Sequence, residues 1–92
     1  IVLRIVPASR ADVEEMVAES KGAKLLQGWR GAPPADRAAV CDTLLCLSAL
    51  MAELSEEIAE VEINPLIVGP DGALAADALL RLHALAGKEA AA

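Results

Sequence analysis

Glu60-Val61-Glu62-Ile63-Asn64-Pro65-Leu66, followed by Gly69-Pro70-Asp71-Gly72 and then Asp77, limits the possible folds more than any other stretch. Val61 and Ile63 alternate with Glu60, Glu62 and Asn64. A strand has a side-chain period of two, so the apolar pair takes one face and three oxygen-bearing side chains take the other. Pro-Asp-Gly is a strong turn signal, so a strand over 58–68 should return as a second strand from Ala73 to about Leu82. Pro65 cannot donate to a ladder, which makes its position an edge or a bulge.

Turn length decides which side chains meet. A two-residue turn centred on Pro70-Asp71 sets Gly69 against Gly72, Val68 against Ala73 and, further along, Asn64 against Asp77. Directly opposed residues have Cβ atoms ~4.5–5.5 Å apart. An amide oxygen and a carboxylate at that separation, with Glu62 on the same face, can share a cation. Oxygen donors without His or thiolate select Mg²⁺ or Mn²⁺ over zinc. A three-residue turn instead shifts the register by one and sends Asp77 to the other face. Both registers, and with them a metal site or a plain solvated hairpin, stay open from counting.

The remaining segments read as helix and strand. Ile1–Val6 is rich in β-branched residues and stops at Pro7, which predicts a strand. Ser9 with Asp12 three residues on is a capping-box start for a helix from about Arg10 to Glu19, with Val13, Met16 and Val17 as its apolar stripe. Lys21-Gly22 closes that helix. Ala23 to Leu26 suits a short strand or a turn of helix. The longest helix is expected from Pro34 or Ala35 to about Leu54, its stripe built from Val40, Leu44, Leu47, Met51 and Leu54. Between the helices, Gly28 and Gly31 bracket Trp29-Arg30 in a tight loop. Arg30 there either presents a guanidinium to phosphate or carboxylate or is a solvated surface group stacked on Trp29.

Composition narrows the function classes. A net charge of -6 and a pI near 4.6 argue against a nucleic-acid partner. No apolar run reaches the ~18 residues of a membrane span. Trp29 is the sole aromatic residue, so the core must be aliphatic. Cys41 and Cys46, five apart on a helix, do not share a face; they read as small buried hydrophobes in a reducing, cytoplasmic setting. His83 lacks neighbours at ligand spacing and reads as a surface or end-of-strand residue. The chain opens on an apolar strand without an initiating Met, which suggests a piece of a larger domain whose open sheet edges would favour self-association.

These residues also carry a family resemblance. Leu25-Leu26-Gln27-Gly28-Trp29-Arg30-Gly31, Asp36, the Glu60–Leu66 motif and Asp77 resemble the C-terminal part of the ATP-grasp domain of ADP-forming acyl-CoA synthetases, such as acetate–CoA ligase (ADP-forming) and its succinyl-CoA synthetase relatives. The likeness runs from about Val2 to Leu82. It implies an α+β fold, a C-terminal ATP-grasp subdomain piece with an antiparallel sheet and about two packed helices over 1–86, with 87–92 a disordered tail. By position, Asn64 and Asp77 match the metal-ligating pair for Mg²⁺ (or Mn²⁺) bound to ATP or ADP. Glu62 matches the acidic position, and Arg30 matches a phosphate-facing arginine. The implied reaction interconverts acyl-CoA, ADP and phosphate with acid, CoA and ATP through acyl-phosphate and phosphohistidine intermediates. The implied partners are the other ATP-grasp half and the CoA-binding domains, because the phosphate-binding lysine strand, the glycine-rich lid and the adenine-binding linker of the family are not in this chain. It should be inactive alone. Two positions depart from the pattern: Leu79 stands where relatives often carry Arg, and Trp29 where Tyr is usual. Leu79 keeps open the alternative of a degenerate regulatory or interaction module that binds no nucleotide.

Overall fold

A computed structural model describes residues 2–28 and 30–84 of the 92. Trp29 and the expected tail at 87–92 lie outside the described residues. Three helices and four strands follow in chain order: α1 (Arg10–Glu19), α2 (Ala23–Leu26), α3 (Arg37–Glu53), β1 (Ile58–Ile63), β2 (Leu66–Gly69), β3 (Gly72–Ala75) and β4 (Ala78–Leu82). The class is α+β, as the resemblance implies.

The helix starts are set by their caps. Ser9 accepts from the Asp12 N–H at 3.1 Å while the Asp12 carboxylate accepts from the Ser9 N–H at 2.9 Å, closing the predicted capping box. Asp36 caps α3 by accepting from the Ala39 N–H at 3.0 Å. That helix therefore starts at Arg37, past Pro34 and Ala35, because the cap residue itself lies outside the helical turn. α1 stops at Glu19 with Ser20 as its cap, so Gly22 stands beyond its end and opens the single turn of α2.

α1 packs on α3, and α3 packs in turn on β1 and β3. Val13 and Val17 from α1 and Cys41 from α3 form the buried centre, ringed by Ala8, Leu26, Val40, Leu44 and Leu45. Cys41 is thus core filler as expected. Cys46 is exposed and corrects the expectation of two buried thiols, since five helical residues turn it away from the α1 side. Ser48 is buried on the α1 side of α3, where its hydroxyl accepts from the Ala8 N–H at 2.7 Å. That bond ties the entry to α1 onto α3.

The expected first strand does not form. Val2–Val6 runs outside any ladder, with Leu3 79% and Ile5 89% exposed. Its sequence has strand propensity, but no described strand lies beside it, and an isolated strand cannot satisfy its own backbone. Arg4 holds it locally through an ion pair to Glu19 at 2.6 Å. The long strand expected over 58–68 is also divided. β1 pairs with β4 and β2 with β3, both antiparallel, with Asn64-Pro65 and Ala76-Asp77 between the two ladders. The half-buried positions change parity there, from Val61 and Ile63 to Leu66 and Val68.

Candidate functional site

The hairpin turn has two residues. Gly69 faces Gly72, Val68 faces Ala73, and Leu66 faces Ala75. The count continues without a slip through Ile63 against Ala78, Glu62 against Leu79 and Glu60 against Arg81. A bulge appears only beyond, between Ile58 and Glu60. In the gap between the ladders, the Ala76 N–H donates to the Pro65 carbonyl at 3.0 Å and the Asn64 N–H donates to the Asp77 carbonyl at 3.1 Å. Asn64 and Asp77 are therefore directly opposite, which is the first of the two registers left open by the sequence.

Alternation gives this pair its neighbours. Glu60, Glu62 and Asn64 are exposed on the face away from half-buried Val61 and Ile63. Their opposed partners Arg81, Leu79 and Asp77 occupy the same face of the second strand. The Asp77 carboxylate accepts from the Ala78 N–H at 2.8 Å through Oδ1, which orients it and leaves Oδ2 for a ligand. Glu60 is taken up by Arg81 at 3.3 Å across the ladder. Arg81 is the residue on this face that the sequence reading passed over. The register count places it there as soon as the turn is known to hold two residues.

This donor set has a definite chemistry. Among the described residues no three or more His, Cys, Asp and Glu side chains gather to hold a metal ion. An amide, one oriented carboxylate and a second carboxylate two residues along the strand would supply an incomplete shell of hard oxygens. Such a shell suits Mg²⁺, which keeps water and takes one or two carboxylates with the remainder from phosphate. It does not suit zinc.

The loop that carries Arg30 is anchored at the turn end of the hairpin. Between Leu26 and Ala35 the chain makes a loop whose neck is closed by the Ala35 N–H donating to the Leu26 carbonyl at 2.9 Å. The next donor along, the Asp36 N–H, reaches the Gly69 carbonyl at 2.7 Å. The loop is thereby fixed to the turn end of β2, five residues from Asn64, or about 17 Å of strand. Gly28, Arg30 and Gly31 all have positive φ, at 98°, 54° and 83°. For Arg30 that left-handed backbone costs about 1 kcal/mol and is held by the loop around it. The structure thus joins Asn64 and Asp77 directly and fastens the loop that carries Arg30 to the turn end of the same hairpin. A cavity of about 550 Å³ between α1 and α3, lined by Val2, Met16, Val17, Leu26, Val40 and Leu44 among others, includes none of these residues.

Antiparallel strands packed against a helix, with Asn64 and Asp77 opposed across the gap between two ladders, make this an α+β domain. The chain belongs to the ATP-grasp family, whose domain model matches residues 1–82. It is 37% identical over 84 residues to the beta subunit of acetate–CoA ligase [ADP-forming] II of Pyrococcus furiosus, covering 89% of this chain and 36% of that subunit. It is 44% identical over 78 residues to acetate–CoA ligase [ADP-forming] II of Archaeoglobus fulgidus, covering 85% of this chain and 11% of that protein. The fold superposes with a TM-score of 0.82 on dinucleotide-forming acetyl-coenzyme A synthetase 1 of Ca. Korarchaeum cryptofilum in complex with coenzyme A and Ca-AMPCP, at 40% identity over 87% of this chain and 34% of that one. A second structure of that synthetase, with coenzyme A and Mg-AMPPCP and its phosphohistidine segment pointing towards the nucleotide-binding site, superposes at 0.81 and 40% identity over 87% of this chain and 37% of that one. The chain spans about a third or less of the length of these relatives.

Proposed function

We propose that this chain supplies the Mg²⁺-binding part of the nucleotide site in an ADP-forming acyl-CoA ligase and does not turn over by itself. The observation that carries this reading is the unbroken register that sets Asn64 against Asp77. The reaction is acyl-CoA plus ADP plus phosphate to acid plus CoA plus ATP, reversibly. Residues 1–86 would form a piece of the C-terminal ATP-grasp subdomain. The adenine-binding half and the CoA-binding domains would come from the remainder of the ligase. Two free thiols are in keeping with a reducing cytoplasm.

In this reading Asn64 and the Oδ2 of Asp77 hold the cation, and Glu62 supports it from two residues along the same face. Bound Mg²⁺ would neutralise charge on the terminal phosphates during phosphoryl transfer. The part proposed for this chain's residues is to bind and orient. Arg30 presents a guanidinium to an anionic group of the substrates or of the phosphohistidine segment.

Calorimetric titration of the intact ligase with Mg–ADP tests the reading. Binding that is lost in Asn64→Ala and Asp77→Ala supports it; equal binding in both variants refutes it. A second reading is favoured by Leu79, which is 59% exposed opposite Glu62, where a base would complete a phosphate site. A module degenerate in this way would show no Mg–ADP binding at millimolar concentration.

A further inference from the structure

Both glycines that flank Trp29-Arg30 have positive φ, yet their surroundings differ sharply. Among the described residues, a Cβ on Gly31 would meet nothing within 4 Å. A Cβ on Gly28 would lie 2.8 Å from the Ala32 carbonyl oxygen and 3.4 Å from the Pro34 nitrogen. The first distance is shorter than real Cβ atoms tolerate, and the obstacle is backbone rather than a side chain that can swing away. Gly28 is therefore where the returning strand of the loop, Ala32 to Pro34, closes against the outgoing strand. Immediately after that closure come the two backbone donors that fix the loop, Ala35 to Leu26 and Asp36 to Gly69.

We propose that Gly28 is a positioning residue for Arg30: the absence of a Cβ lets the Ala32 carbonyl close the neck of the loop, and that closure sets where the guanidinium is presented. The inference rests on the reading of Arg30 as an anion-contacting group. Proline at 33 and 34 stiffens the returning strand, so displacement of Ala32 cannot be absorbed locally. It is passed to Arg30 on one side and to Ala35-Asp36 on the other. Gly31 lacks this contact and pays only for its left-handed backbone.

The test uses the intact ligase, with KM and kcat measured for Mg–ADP and for inorganic phosphate, and the melting temperature recorded for each variant. Arg30→Ala should raise one of these KM values roughly tenfold. Gly28→Ala should raise the same KM by a similar factor, whereas Gly31→Ala changes it less than about twofold. In the Arg30→Ala background, Gly28→Ala should add nothing further, because what it disturbs is already gone. A general loss of fold would instead lower the melting temperature and kcat in both backgrounds. Additive effects, or Gly28→Ala behaving like Gly31→Ala, would overturn the proposal. Unchanged KM values in Arg30→Ala would overturn it together with the role of Arg30. The cation reading would survive that result, since it is decided by Asn64 and Asp77.

Discussion

Asn64 and Asp77 are joined by their backbones, not their side chains: the Asn64 N–H donates to the Asp77 carbonyl at 3.1 Å, and both side chains stand exposed. Substitution at either position leaves that backbone bond in place. Asn64→Ala and Asp77→Ala should therefore fold normally, judged by circular dichroism and melting temperature. In the intact ligase each should cost at least about 100-fold in Mg–ADP affinity or turnover, the upper range for perturbing a metal shell. Glu62→Gln should cost less, because Glu62 is two residue pairs removed along the ladder. A variant at 64 or 77 with undiminished turnover would remove the basis for the cation site.

The α1 cap makes stability depend on pH. The Asp12 carboxyl is held below its ordinary value of 3.8, chiefly by the Ser9 backbone N–H and then by the Ser9 hydroxyl. A depressed folded value means that the ionised form stabilises the fold. That contribution is present above the ordinary carboxylate range and is lost as the pH falls through the folded value. Thermal melts from pH 7 down to pH 2 should show wild type more stable than Asp12→Asn at neutral pH, with the gap closing at the acid end. Ser9→Ala should cost about 1 kcal/mol at pH 7. A gap between wild type and Asp12→Asn that is constant with pH would contradict the assignment.

Ser48 is the one buried polar side chain among the described residues, and its hydroxyl accepts from the Ala8 N–H at 2.7 Å. Removing the acceptor strands a partly buried donor. Ser48→Ala should destabilise by about 1–3 kcal/mol, measurable as a lower urea midpoint with unchanged slope. Val13→Ala, at a site 1% exposed, removes two buried methyl groups and should cost about 2–3 kcal/mol. If Ser48→Ala were neutral, the bond would contribute nothing net and the anchoring of Ala8 would need another source.

Much of this architecture is legible in the sequence because its determinants are local. The Ser9–Asp12 box, the Asp36 cap and the Pro-Asp-Gly turn each act within a few residues. The Asn64–Asp77 opposition follows from the turn by counting alone, once its length is known. What escaped reading depends on distant partners. Ile1–Val6 has the composition of a strand, but a strand also needs a neighbour, which propensity cannot supply. The parity change at Asn64-Pro65 and the exposure of Cys46 are set by which layers pack on α3 and on the sheet. Likewise, nothing in Gln27–Pro34 announces that its neck is fastened to Gly69. For the candidate site, residue types were readable and the register was narrowed to two, whereas the tie between the Arg30 loop and the hairpin depended on that fastening.

Leu79 is the position at which the two proposed readings, a nucleotide site and a degenerate module, part. It faces Glu62 directly and lies two residues from Asp77 on the same strand face, exposed. Its neighbour on that face, Arg81, is engaged by Glu60 at 3.3 Å. An arginine at 79 would stand opposite Glu62, two residues from Asp77, on the face where the proposed cation would hold a phosphate. If the native site binds Mg–ADP and lacks only this charge, Leu79→Arg should tighten binding of Mg–ADP or phosphate by roughly five- to tenfold. Fold stability should stay within about 0.5 kcal/mol, since Leu79 buries little. The measurement is calorimetry on the intact ligase, wild type against Leu79→Arg, repeated with Asp77→Ala. Tightening that vanishes in the Asp77→Ala background ties the new charge to the cation pair. Binding absent from wild type and still absent in Leu79→Arg would mark the hairpin as a retained scaffold rather than a nucleotide site.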